Sequence, residues 1–331
     1  MKDEIISIII PLFNVEQYVL GCLRSITEQT LSDGVECILV DDCGNDRSVE
    51  IVQTFIEQYH GPISFRLVHH DCNRGLSAAR NTGILQSSGK YLFFLDSDDK
   101  LYDSKSLERL WYQTVLYPEV DMVQGNFFIE EIGNVTFEET VFPSFTKNTK
   151  WIRAKITTLQ IPESACNRLI RRNIIIDNKL FFKEGWIQED TLWTYRLHNY
   201  IHSIAFCFVP SYFYAYNSES IMHSSGREKE GLAFVKIINE VYFLLQSQPI
   251  HVYDIRFLEL LAMRSEKSMG KKAYLMMSPY RNNLFRFLFR INSSTYNSEM
   301  MLYRLAGKVI SSFLRFILLN KLIFNINNDS I

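Results

Sequence analysis

Three carboxylates stand together in Asp96-Ser97-Asp98-Asp99, directly after the apolar run Tyr91 to Leu95. A short run of that kind without helical spacing reads as a strand buried on both faces, and carboxylates at its carboxyl end cannot lie in the core unpaired. They therefore project from the edge of a sheet. Side chains this close repel one another, so a site that keeps them calls for a cation, and oxygen-only ligands with few neighbouring His or Cys suit Mg²⁺ or Mn²⁺. The same four residues also satisfy a plain strand-to-helix turn with an N-cap. A second acidic pair, Glu189-Asp190, opens a helix continued by Leu192, Tyr195, Arg196 and Asn199. Acidic residues there also serve as partners of the helix dipole.

The elements that must position these groups alternate. Ile5 to Ile10 is a β-branched run ended by Pro11, and Val19, Cys22, Leu23 and Ile26 mark a helix over Val15 to Gln29. Val35 to Val40 is a second strand, ending in Asp41-Asp42-Cys43-Gly44-Asn45-Asp46 before a helix with Val49, Val52, Phe55 and Ile56. Ser64 to His69, Leu76 to Gln86 and Tyr91 to Leu95 repeat the unit, which argues for an α/β fold: a mostly parallel, Rossmann-like sheet flanked by helices. Ligands of such sheets bind outside the carboxyl ends of the strands, so Pro11 to Asn14, Asp41-Asp42 and Asp96 to Asp99 share one rim. Neither G-x-G-x-x-G nor G-x-x-x-x-G-K-[ST] occurs, so a bound nucleotide is held by carboxylates and a metal rather than by a glycine cradle.

Further on, Asp121 to Gln124 and Asn126 to Glu131 read as strands, with Val135 to Phe142 pairing back across Ile132-Gly133-Asn134. Glu163 to Arg172 reads as a short helix with a basic end, and Phe206 to Val209 and Tyr212 to Tyr216 as two strands joined at Pro210-Ser211. Beyond about Gly226 the strand signals stop, and helices are expected over Leu232 to Gln246, Tyr253 to Met269, Tyr280 to Arg290 and Tyr296 to Phe324. The expected division is a domain over 1–226, in halves 1–100 and 101–226, and a C-terminal helical appendage over 227–331.

Composition bounds the rest. The 331 residues are 47% hydrophobic and 22% charged, enough for one large α/β domain plus the appendage, and the net charge of −2 gives no case for nucleic acid. From His251 onward, however, Lys and Arg outnumber Asp and Glu by 12 to 5. Six cysteines without C-x-x-C or scaffold spacing read as reduced thiols, hence a cytoplasmic setting. Acidic residues precede Ile5 where a signal peptide is basic, and no apolar stretch is long enough to span a bilayer.

With these pieces placed, the stretch from about Ile5 to Ile221 resembles a family-2 glycosyltransferase of the GT-A fold, of the bacterial surface-polysaccharide type. The resemblance is carried by Ser7 to Asn14, Val40-Asp41-Asp42, Gly75 to Asn81, Phe94 to Asp99, Cys166 to Leu169 and Gln188-Glu189-Asp190, six motifs in order. It implies inverting transfer of a sugar from a nucleoside diphosphate sugar, with UDP favoured, to a glycan or lipid-linked acceptor. Pro11, Phe13 and Asn14 would flank the base and Asp42 would accept from its imide N–H. Asp96, with Ser97 beside it, would approach the ribose; Asp98 would coordinate Mn²⁺ or Mg²⁺ on the diphosphate, with Asp99 as helper. Asp190 would be the general base and Glu189 its fallback. Arg80 would lie near the sugar-nucleotide pocket or form a helix salt bridge, and Arg74 would face the diphosphate. Many relatives carry an Arg where this chain has Ala215; His223, just beyond, is the substitute phosphate contact, grouped with Asp98 and Asp99 at the metal.

Two other functions compete. A receiver-like signalling domain shares the Val40-Asp41-Asp42 pocket but has no use for Asp96 to Asp99 plus Glu189-Asp190. A catalytically inactive relative would bind nucleotide or glycan as a scaffold, against which stands the full set of carboxylates. In the C-terminal helices, Phe285, Leu288, Phe289, Phe313 and Phe316 alternate with Arg281, Arg286, Arg290 and Arg315. Such faces suit the interface of an anionic membrane, or packing on the catalytic domain or on a second subunit as a homodimer.

Overall fold

The computed structural model describes residues 5–135, 137–217, 226–246 and 251–269. His223, the expected helices over 280–290 and 296–324, and the apolar, cationic faces they carry lie outside the described residues.

The first half is built as the alternation predicts. Strands β1 (Ile6–Leu12), β2 (Val35–Asp41) and β4 (Tyr91–Phe94) are buried along their whole length, as continuous apolar runs in a parallel sheet must be. β3 (Ser64–His69) alternates between exposed and half-buried residues and forms the edge. The order β3-β2-β1-β4 is parallel throughout. Pro11 does not end β1 as expected but lies within it, paired with Val40. Ile9 accepts from the Leu95 N–H on the β4 side, and Pro11, two residues on, turns its nitrogen to that same side beyond the last β4 rung. Its missing N–H therefore costs no ladder bond.

Three helices cover these strands: α1 (Val19–Thr27), α2 (Ser48–Gln58) and α3 (Leu76–Gln86). Asp46 caps the start of α2, accepting from the Ser48 N–H at 3.0 Å and the Ser48 hydroxyl at 2.6 Å. Helix α3 sits directly on β1, where a Cβ added at Gly83 would stand 2.3 Å from Ile9 Cγ2.

The second half is mixed rather than parallel. After β5 (Lys100–Leu101) and α4 (Ser106–Leu116) comes β6 (Met122–Ile129), one strand where two were expected. β7 (Gly133–Val135) pairs back on it antiparallel, shorter than the expected Val135 to Phe142 run. The stretch expected as an acceptor loop, Phe145 to Lys155, holds β8 (Phe145–Thr146) and α5 (Thr149–Thr157), capped by the Asn148 side chain. Glu163 to Arg172 is not a helix. Asn167 adopts φ 57, outside right-handed helical space, and β9 (Arg168–Arg171) then runs antiparallel between β4 and β6. A short α6 (Arg172–Asp177) and α7 (Glu189–Leu197) follow. The expected pair of strands after Phe206 is one strand, β10 (Ile204–Tyr214), parallel to β6, with Pro210 at a register shift that spares it a ladder bond. The whole order is β3-β2-β1-β4-β9-β6-β10-β5.

Helices α8 (Arg227–Leu245) and α9 (Val252–Met269) belong to the same compact unit as the sheet. Their apolar faces pack inward: the Tyr195 hydroxyl donates to Asp254 at 2.8 Å, the Tyr195 ring stacks on Phe257 at 4.6 Å, and Lys183 pairs with Glu240 at 2.7 Å. For these two helices the use is packing on the catalytic unit. Among the described residues no helix is long and apolar enough to cross a membrane.

The Gly83 contact is directly testable. Gly83→Ala should overpack the α3–β1 seam and cost about 1–3 kcal/mol, lowering Tm by roughly 2–10 °C. An unchanged thermal melt would show that α3 is not seated on Ile9.

Candidate active site

The site is assembled on one guanidinium. Arg80, on α3, is 1% exposed. Its Nη1 donates to Glu189 Oε1 at 2.8 Å and Asp190 Oδ1 at 2.7 Å, and its Nη2 donates to Asp96 Oδ1 at 2.8 Å. The expected helix salt bridge of Arg80 is instead a link between the first half of the chain and α7. Beneath it lies an aromatic floor: Phe182 is 5.4 Å from the guanidinium carbon and stacks on Trp193 of α7 at 4.5 Å, while Phe94 meets both edge-on.

Three carboxylates around one cation leave negative charge over. Burial, together with Asp96, pushes the Asp190 carboxyl up against the opposing pull of Arg80. Burial and the Asp190 charge push Glu189 up as well. Asp190 Oδ2 accepts from the Ala165 N–H at 3.1 Å, which fixes the carboxylate from the side opposite Arg80. Behind it Arg168, fully buried on β9, donates to the Pro162 carbonyl at 2.6 Å, and burial lowers its pKa to about 10.

The three aspartates after β4 have separate fates. Asp96 is part-exposed and bound to Arg80. Asp98 is part-exposed, accepts from Asn217 Nδ2 at 2.9 Å, and is pushed up by burial and by Asp96. Asp99 is 3% exposed and turned inward: it accepts from the Tyr212 hydroxyl at 2.7 Å and the Ala215 N–H at 2.9 Å. Burial, Asp96 and Asp98 hold its carboxyl well above the ordinary range. Asp99 is thus a latch on β10, and Ala215 contributes its backbone where an Arg side chain was missed. Ser97 is buried between Asp96 and Asp98.

On the same rim Phe13 is 48% exposed, and Asn14 accepts from the Asn45 N–H at 2.9 Å. Asp42 is only 2% exposed. It accepts from the Arg74 and Gly75 N–H groups at 2.8 and 2.7 Å and faces His70 Nδ1 at 2.7 Å. The carboxylate expected at the base edge therefore also folds the turn into α3, where Gly75 supplies φ 87. Arg74 reaches Glu184 at 3.3 Å on the surface. Reasoning from sequence missed Tyr212, Asn217, Phe182 and Arg168 as site-building residues; Tyr212, Asn217 and Arg168 stood in motifs without a role assigned to them.

Residues 7–178 match the model of the family described as Glycosyl transferase family 2. The chain belongs to this family. As a family-2 glycosyltransferase it is 30% identical over 276 residues to the glycosyltransferase GlyG of Streptococcus pneumoniae, covering 78% of this chain and 87% of GlyG. It is 28% identical to the poly(ribitol-phosphate) beta-N-acetylglucosaminyltransferase TarP of Staphylococcus aureus, over 74% of this chain and 73% of TarP. Among solved structures, residues 1–349 of S. aureus TarS in complex with UDP-GlcNAc superpose with a TM-score of 0.64 at 20% identity, covering 80% of this chain and 73% of that one. The fold is the expected GT-A type, with helices appended after the sheet.

Arg80→Met should cost about 3–5 kcal/mol at neutral pH, because three carboxylates lose their shared partner. Without it the Glu189 and Asp190 carboxyls, already pushed up by burial, lose the Arg80 charge that pulls them down and rise further, so the deficit should shrink as pH falls and they protonate. Urea unfolding at pH 7.5 and 5.5 measures this, and an equal deficit at both would contradict the shared-cation reading.

Proposed function

We propose that this glycosyltransferase moves a sugar from a UDP-sugar to an acceptor hydroxyl by one inverting displacement, with Asp190 as general base. The observation that carries the reading is the Arg80 bridge, which holds Asp190 and the donor-side Asp96 on one rigid group. Support for the nucleotide is the likeness to a UDP-GlcNAc complex. Support for a glycan or polyol acceptor is the 28% identity with TarP, whose name states such an acceptor.

In this reading Pro11, Phe13 and Asn14 flank the base, with Asp42 holding the turn beside it. Asp96 and Ser97 meet the ribose, and Arg74 leaves Glu184 for the diphosphate. Asp190 takes the proton from the acceptor oxygen as that oxygen attacks the anomeric carbon opposite the leaving nucleotide, so a single step inverts the centre. Arg80 and the Ala165 N–H keep the carboxylate aimed. Burial and the Asp96 charge raise the basicity of Asp190, and Glu189, on the same guanidinium nitrogen, is the alternative base.

The donor set fits a hard divalent cation such as Mn²⁺ or Mg²⁺: two part-exposed carboxylates, Asp96 and Asp98, carry charge that Arg80 alone does not neutralise. Asp98 would hold the ion. Bound there, it would neutralise the leaving diphosphate as a Lewis acid. Among the described residues no cluster of three or more His, Cys, Asp and Glu forms a ready-made metal cage. Few protein ligands completed by phosphate oxygens is the habit of Mg²⁺ at nucleotide sites.

Asp190→Asn should lower kcat by roughly 10²–10⁴ with little change in donor affinity. In the native enzyme the raised carboxyl pKa means that the base-competent form is lost as pH falls nearer to neutrality than for an exposed Asp. The acid limb of kcat/KM against pH checks this; a limb at the pKa of a free Asp, or full turnover in the Asn variant, would sink the assignment.

Asp98→Ala should abolish stimulation by Mn²⁺ and weaken intact UDP-sugar far more than uridine, since the ion contacts phosphate. Calorimetric titration of both ligands tests it, and full activity in excess EDTA would remove the metal from the mechanism.

A further inference from the structure

A cavity of about 450 Å³ opens between Glu163 and Gln188 on one wall and helices α8 and α9 on the other. Its wall runs directly into the catalytic segment. Gln188, at φ 59, is the residue before Glu189-Asp190, and the Glu163 carbonyl accepts from Thr194 of α7 at 2.6 Å. Its electrostatics oppose those of the donor rim. Arg227, Arg264 and Lys267 face it with Glu163 and Glu230, leaving one positive charge in excess.

The pairing within the cavity is incomplete in an informative way. Arg264 Nη1 binds Glu163 Oε1 at 2.5 Å and lies over Phe234 at 5.6 Å, while Glu230 accepts from Ser268 at 2.8 Å. Among the described residues Arg227 and Lys267 make no ion pair. Glu163 Oε2 is buried without a hydrogen-bond partner, an unfavourable state that a donating hydroxyl relieves. Two uncommitted cations and one orphaned carboxylate oxygen together match a ligand that carries both an anion and hydroxyl groups.

We propose that this cavity is an acceptor subsite for a phosphate-bearing polyol or glycan, with Arg227 and Lys267 on the phosphate and Glu163 Oε2 on a neighbouring hydroxyl. The inference rests on Asp190 being the base, because the cavity then receives the part of the acceptor next to the reacting hydroxyl. TarP's name supplies an acceptor of related chemistry; the cavity and its residues are assigned from this chain alone.

The test uses the full chain with sn-glycerol 3-phosphate as probe, glycerol as the uncharged control, and Arg227→Gln/Lys267→Gln as the variant. Both positions are exposed, where substitutions leave the fold intact. Thermal shift against probe concentration reads binding, since a ligand of the folded state raises Tm by mass action. Glycerol 3-phosphate should bind saturably, about tenfold more weakly in the double variant, with Mn²⁺–UDP binding unchanged in both. Co-sedimentation with phosphatidylglycerol vesicles, against phosphatidylcholine, separates the sources. A response to those vesicles alone, lost in the double variant, assigns the subsite to a lipid-borne phosphate. Equal responses of both proteins, an equal effect of glycerol, or no response to either phosphate overturns the proposal. Unchanged turnover in Asp190→Asn would overturn the base assignment while leaving this binding result standing, so the two failures are distinguishable.

Discussion

A buried guanidinium shared by three carboxylates imposes a strict order on everything around it. Arg80 draws Asp96 from the strand end sixteen residues later and Glu189 and Asp190 from a helix more than a hundred residues away. Such a group is tolerable in the interior only if its charge is met and its partners are held from behind, the more so as Arg80 Nε is buried without a hydrogen-bond partner. The supports are visible: Ala165 on Asp190, the Phe182–Trp193 stack beneath the guanidinium plane, and the Asn81 side chain, which donates to the Phe182 carbonyl at 2.9 Å and accepts its N–H at 2.8 Å. Gly75 to Asn81 reads as a motif because its parts turn the chain into α3 at Asp42, pack that helix on the sheet and reach this junction. Ala78 and Ala79 are fully buried, Gly83 lets α3 onto β1, and Arg80 and Asn81 reach across to α7 and the segment before it.

The same junction explains why the two halves of the chain differ in legibility. Of the first four strands β1, β2 and β4 are buried along their whole length and β3 forms the edge, and helices separate them, so the alternation of strand and helix finds them. In the second half parallel and antiparallel pairings mix, and the strands are short or irregular. β9 is four residues preceded by a left-handed Asn167, and β10 is broken in register at Pro210. A run of Glu, Ser, Ala, Cys, Asn and Arg has helical propensity, yet Leu169 and Ile170 are wanted as a rung between β4 and β6, and tertiary pairing wins over propensity. Helix α5 was concealed for a related reason: its Asn148 cap lies in a polar stretch whose only buried residues on the helix are Ile152, Ile156 and Thr157.

The site was legible as a list of residues but not as a division of labour, and the acidic run after β4 shows why. Spacing alone treats Asp96, Asp98 and Asp99 as one cluster facing a cation. In the fold, Asp96 is committed to Arg80, and Asp99 is drawn inward by Tyr212 and the Ala215 N–H, which come from a strand more than a hundred residues on. No local pattern encodes that strand's approach. Asp98 is left part-exposed and without a cationic partner in hydrogen-bond reach, steadied by Asn217. Asp42 makes the same point from the other side of the rim: next to Asp41 in a motif, it is turned into the protein by His70 and two backbone N–H groups. Carboxylates at a strand end announce a charged rim, but which of them faces a ligand depends on which backbone donors the rest of the chain delivers. Donors arriving from β10 and the α3 turn remove two of the four, and of the pair left at the rim Asp98 is pushed up by burial and by the neighbouring Asp96 charge.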